Sequence, residues 1–124
     1  MAKKHDVIIV GMGLASLAAA ARLNELGVKD IGIYTTAYGG TPYIAAINFV
    51  LPDNPYGDTI GQYNDDMIHA GYGINNKTLV QDMAASTMEG YKLLCRWGVE
   101  FAKNEDGTTK LRHLSGHTLS LIHI

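Results

Sequence analysis

The chain has 124 residues, a formal net charge of -2 and 47% hydrophobic residues, a balance expected of a globular protein with room for one domain at most. No Lys/Arg cluster extends beyond Lys3-Lys4, which argues against nucleic acid or an anionic membrane surface as the main partner. Cys95 is the single cysteine, so an internal disulfide framework is excluded and a reducing, cytoplasmic compartment is expected. The N-terminal residues run straight into an apolar stretch broken by Gly11 and Gly13, without a convincing signal-peptide cleavage site. No run approaches the roughly 18 consecutive apolar residues of a membrane span.

The first predicted element is Val7-Ile8-Ile9-Val10, a continuous β-branched run of the kind found in parallel strands covered on both faces. Gly11 then lets the chain leave the strand in a conformation that a side chain resists, and Gly13 removes the Cβ that would hold a pyrophosphate away from the backbone. From Leu14 an alanine-rich helix begins. The N–H groups of its first turn and its dipole present positive charge to an anion over the turn, most simply a dinucleotide pyrophosphate. Ser16 occupies the third position of the G-x-G-x-x-G pattern, and Ala15, Ala18, Ala19, Ala20 and Ala21 offer a small surface for close packing on a sheet. Gly27 ends the helix and Ile31-Gly32-Ile33-Tyr34 is the second strand. The result is a β–α–β corner suited to phosphate, although an ordinary glycine turn without a ligand has the same pattern.

NAD-binding folds place an acidic side chain roughly 20 residues beyond the glycine turn. Here that place holds Thr35 and Thr36, whose hydroxyls could bond a ribose or simply open a loop, while Asp30 precedes the strand. Gly39-Gly40 and Pro42 predict a tight loop, after which Ala45 and Ala46 let the backbone pass close to something flat. Residues 51–57 form a turn-rich surface loop. Thr59 with Gln62 makes a capping-box pattern for a helix to about Ala70, with Ile60, Tyr63, Met67 and Ile68 on its apolar side. Asp65, Asp66 and His69 read as a solvated face of that helix rather than a metal site.

A break at Gly71–Gly73 and a cap at Asn75-Asn76 predict one longer helix to about Trp97, with Leu79, Val80, Met83, Met88, Tyr91, Leu94 and Cys95 on its buried face. Cys95 is expected to be an inert core residue. Asn104-Glu105-Asp106-Gly107 is a hairpin-turn signal between Val99–Lys103 and Lys110–Leu114. His113 and His117, four apart in a loop, read as surface residues on their own terms.

The GMGLASLAAAA stretch, the Gly39-Gly40-Thr41 loop with Ala45-Ala46, the helix ending in Trp97-Gly98-Val99-Glu100-Phe101, and Gly116-His117-Thr118 together resemble the flavoprotein subunit family of fumarate reductase and succinate dehydrogenase. That family includes L-aspartate oxidase and adenylylsulfate reductase. The resemblance implies an α/β, Rossmann-like FAD-binding fold, incomplete here, with three layers, a parallel sheet and a C-terminal β-hairpin. It assigns cofactor binding to Gly11, Gly13, Leu14, Ala15, Ser16, Thr35, Thr36, Gly39, Gly40, Thr41, Ala45, Ala46 and Asn48, and makes His117 a substrate-side candidate. Ile47-Asn48-Phe49 stands where the family has Gln-Gly-Gly, and Pro42 stands where covalently flavinylated members carry histidine, so the implied FAD is non-covalent.

The implied reaction is hydride transfer between flavin and a small carbon substrate, dicarboxylates included, with an electron donor or acceptor left unnamed and no catalytic acid or base placed among these residues. Residues 1–118 are expected to be the N-terminal portion of the FAD-binding domain, and 119–124, which depart from the family pattern, a truncated or foreign tail. Two rivals stay open. In a nicotinamide-dependent Rossmann dehydrogenase, the missing carboxylate counts against NAD and the lack of an arginine near Thr35 against NADP. The other is an inactive fragment with apolar sheet edges unpaired.

Overall fold

A computed structural model describes residues 3–40, 43, 46–113 and 120–123, and the chain divides into two compact units, Met1–Ile44 and Ala45–Ile124. In the first unit, β1 (Val7–Val10), α1 (Leu14–Glu25) and β2 (Ile31–Tyr34) follow in order. The two strands pair in parallel with Val7 opposite Ile31 and Val10 opposite Tyr34. A parallel pair needs a crossover, and α1 supplies it. The helix ends at Gly27, whose φ of 92° is the left-handed conformation that only glycine adopts at little cost; its N–H donates to the Asn24 carbonyl.

The expected cover on both faces of β1 is found on one. Val7 and Ile9 are half-buried, whereas Ile8 and Val10 are 56% and 84% exposed. What lies on that second face is the His5 ring. Its Nδ1 is 2.7 Å from Asp30 Oδ1 and its Nε2 3.1 Å from the Tyr34 hydroxyl, and the side chain is only 6% exposed. The ring sits over Gly32, where a Cβ would come within 2.5 Å of ring carbon Cδ2. Gly32 is therefore required by space rather than by backbone conformation, and Asp30 is committed to tying the entry segment across β2.

The second unit contains β3 (Ala46–Ile47), α2 (Ile60–Ala70), α3 (Lys77–Ala85), α4 (Thr87–Arg96), β4 (Leu111–His113) and β5 (Ser120–His123). Its sheet has the order β3-β5-β4, antiparallel throughout. Phe49 and Phe101 form its core, with Ile47, Leu51, Tyr91, Leu94, Val99 and Leu111 packed around them. The Tyr91 and Phe101 rings stack with centroids 5.1 Å apart, and Phe49 meets both edge-on, geometries that suit the aromatic quadrupole. A second cluster joins Tyr63 and Ala84 to Val50 and Met67, and burial pushes the Tyr63 phenol above its usual pKa.

The caps fall where their residue types require. Thr59 Oγ1 accepts from the Gln62 N–H and Asn76 Oδ1 from the Leu79 N–H. Asn54 closes the 51–58 loop, donating to the Leu51 and Asp58 carbonyls and accepting from the Asp58 N–H.

Three expectations are corrected. The single long helix is two, α3 and α4, parted at Ser86. The Ser86 hydroxyl donates to the Asp82 carbonyl and the Thr87 hydroxyl to that of Ala84, and hydroxyls that bond back to the preceding turn compete with the ladder. The buried stripe, Val80, Ala84 and Thr87, passes across the break, while Leu79 and Met83 are 64% and 42% exposed. Cys95 is exposed rather than in the core. The turn at 104–107 does form, with the Asn104 N–H donating to the Thr108 carbonyl and a single antiparallel bridge between Lys103 and Thr109. Pairing between the arms stops there, and from Leu111 the chain pairs with β5.

Gly32→Ala is expected to cost about 1–3 kcal/mol by forcing a methyl into the His5 ring, and His5→Ala in the same chain to restore part of that loss; urea unfolding of the single and double variants measures both. Asp106 titrates below the usual carboxylate range because the Thr108 hydroxyl and backbone N–H donate to it. A depressed carboxylate contributes stability above its unfolded pKa and loses it as pH falls through the folded value. NMR titration should accordingly show Thr108→Val moving Asp106 back up towards the ordinary range.

Candidate dinucleotide site

The corner is built by backbone. Gly11 has φ 107°, and its N–H donates to the Tyr34 carbonyl at 2.8 Å, so the turn leaves β1 while tied to the end of β2. The first residue of α1 follows Gly13, the N-cap, at φ -91° and ψ 179°. That is extended backbone open to any residue, and a Cβ built on Gly13 meets nothing within 4 Å among the described residues. Neither strain nor a neighbour among the described residues accounts for glycine at 13.

The end of α1 is suited to an anion. Among the described residues the Gly13 N-cap offers no side-chain cap hydrogen bond and no acidic residue stands in the first turn, while α2 and α3 are capped by Thr59 and Asn76. Leu14 and Ala15 are exposed and Ser16 is half-buried, its Oγ 3.4 Å from where a Gly11 Cβ would lie. Backbone N–H groups at a helix start attract negative charge through their partial charges and the helix dipole.

The loop after β2 returns to this turn. The Gly39 N–H donates to the Met12 carbonyl at 3.1 Å, and a Cβ on Gly39 would lie 2.6 Å from Gly13 Cα. Thr35 turns its hydroxyl inward on its own loop, donating to the Ala37 carbonyl and accepting from the Ala37 N–H. Thr36 and Gly40 are exposed.

Of the residues assigned to the cofactor, the first unit holds Gly11, Gly13, Leu14, Ala15, Ser16, Thr35, Thr36, Gly39 and Gly40, and it brings Gly11, Gly13 and Gly39 together at the turn. Ala46, in β3, and half-buried Asn48 belong to the second unit. Thr41, Ala45 and His117 lie outside the described residues. Sequence reasoning missed the packing of Gly39 on Gly13; its one signal was a glycine pair in the loop that follows the second strand. A separate concavity of about 740 Å³ in the second unit, between Pro52, Asn54, Tyr91 and Thr108, is lined by none of the assigned residues.

Comparison with known proteins shows the family of the chain. Residues 6–123 match the family model for an FAD binding domain. The chain is 29% identical over 126 residues to the acrylate reductase flavoprotein subunit of Shewanella woodyi, covering 95% of this chain and 24% of that protein. To the L-aspartate oxidase of Pyrococcus abyssi it is 36% identical over 100 residues, covering 81% and 21%. Among solved structures, Mycobacterium smegmatis Sdh1 in complex with UQ1 superposes with a TM-score of 0.80 at 23% identity, over 97% of this chain and 21% of that one. An E. coli quinol fumarate reductase FrdA variant does so at 0.78 and 20%, over 94% and 20%. The chain thus spans about a quarter or less of the length of these relatives. With the family model covering the chain almost from end to end, this is a member of the FAD binding domain family, and its cofactor is FAD.

Proposed function

We propose that the corner from Gly11 to Ser16 receives the pyrophosphate of FAD, and that in a protein of the relatives' length this segment holds the ADP half of the cofactor for an oxidoreductase. The observation that carries the reading is the glycine at 13, where a Cβ would meet nothing within 4 Å among the described residues, at the start of α1. A Cβ there would occupy the approach of an anion to the first-turn amides. Thr36, at the end of β2, is the better placed hydroxyl for a ribose, since that of Thr35 bonds within its own loop. Gly40, Thr41, Ala45, Ala46 and Asn48 remain assigned to the flavin side, and His117 to the substrate side, on the family resemblance. We take β1, α1 and β2 as the opening crossover of a three-layer Rossmann-like domain.

FAD supplies hydride transfer to or from carbon when bound. This chain's own residues do the holding: the turn and the α1 end stabilise two phosphate charges, and the tie from Gly11 to Tyr34 keeps the turn in place before the ligand arrives. Pro42, in the position of the covalent histidine, favours non-covalent attachment. The substrate we infer is a small carboxylate, dicarboxylates included, since relatives are named for acrylate and aspartate; its electron partner is not assigned. Among the described residues no helix is long and apolar enough to cross a membrane, and with a single cysteine we place the protein in the cytoplasm.

Gly13→Ala separates binding from folding. Its thermal unfolding should stay within about 1–2 °C of the parent, because the new methyl meets open space, while affinity for FAD in a fluorescence titration falls by about tenfold or more. Unchanged FAD affinity would remove the pyrophosphate from this turn. The same titration with NADH in place of FAD should give the weaker binding; tighter NADH binding rejects the flavin reading in favour of a nicotinamide enzyme.

A further inference from the structure

We propose that Gly39 is a positioning residue for the phosphate turn, acting through Met12 and Gly13 rather than on the cofactor. This rests on the reading that the turn holds the FAD pyrophosphate. The backbone of Gly39 is outside the left-handed region, so its conformation does not call for glycine. Its neighbours do. A Cβ would lie 2.6 Å from Gly13 Cα and 3.0 Å from both the Gly13 nitrogen and the Met12 carbonyl oxygen. All three are backbone atoms, which cannot swing aside as a flexible side chain can.

The same approach makes a bond. The Gly39 N–H donates to the Met12 carbonyl at 3.1 Å, and that carbonyl belongs to the peptide unit whose nitrogen is Gly13's. Fixing the carbonyl fixes the plane of that peptide, and with it the direction of the N–H at the mouth of the site. The turn is thereby held from two sides, by Tyr34 through Gly11 and by Gly39 through Met12. Gly13 and Gly39 have opposite reasons for lacking a side chain: one leaves room for a ligand and the other lets two stretches of main chain touch. Pre-organised donors bind an anion more tightly because less ordering remains to be done on binding.

Gly39→Ala tests this, with FAD and ADP titrated against the full chain below the unfolding temperature of both proteins. Loss of affinity for FAD and for ADP by the same factor, about tenfold or more, is expected, because the turn serves the pyrophosphate the two ligands share. Unchanged affinities overturn the proposal. A loss confined to FAD also overturns it, since Gly39 would then touch the flavin. Binding of neither ligand by the parent chain would defeat the pyrophosphate reading and this proposal with it. Where the variant does not keep its fold, amide exchange in the parent gives a second readout: saturation with FAD should slow exchange at the Gly39 N–H about tenfold, and an unchanged rate overturns the positioning role.

Discussion

Main chain lying against main chain is the condition on which the glycine corner after β1 depends. Gly11 bonds the end of β2, and Gly39 bonds and touches the turn after β1. Neither approach survives a side chain at those places. Because the contacts are between backbone atoms, their geometry is set by covalent dimensions rather than by rotamers, which gives a site for a charged ligand a rigid floor. The strand pair below it is small, and α1 carries no fully buried residue. The corner is therefore held by these local ties and by the His5 clamp, which runs from Asp30 before β2 to the Tyr34 hydroxyl at the corner end of that strand.

Much of this was legible because the relevant signals are local. A β-branched run, glycines at 11 and 13, an alanine-rich helix closed by Gly27 and a second apolar run specify β1, α1 and β2 almost to the residue. The caps at Thr59 and Asn76 were readable for the same reason, since an oxygen-bearing side chain three residues before its target N–H is a short-range pattern. The family, too, could be recognised from motifs that lie within single loops.

What escaped were features that depend on distant partners or on competition between neighbours. Periodicity through residues 77–97 continues across Ser86 because the hydrophobic rhythm does not register two hydroxyls bonding backward. Leu79 and Met83 fit the pattern of a buried face, yet Val80, Ala84 and Thr87 are the ones inside, a stripe at i, i+4 and i+7 that passes across Ser86. His5 reads as an unremarkable residue before a strand, and only the pairing of β1 with β2 reveals that Gly32 makes room for its ring. Within the corner itself, the glycines at 13 and 39 look alike in sequence and differ only in what surrounds them.

The aromatic trio of the second unit bears on the order in which the chain assembles. Phe49 and Phe101 are joined across more than fifty intervening residues, whereas β1 and β2 are joined across one short helix. Closing the longer loop costs more chain entropy before any contact rewards it, and such non-local pairings slow folding. The corner of β1, α1 and β2 is thus the segment able to take shape early, with the aromatic knot as the late event.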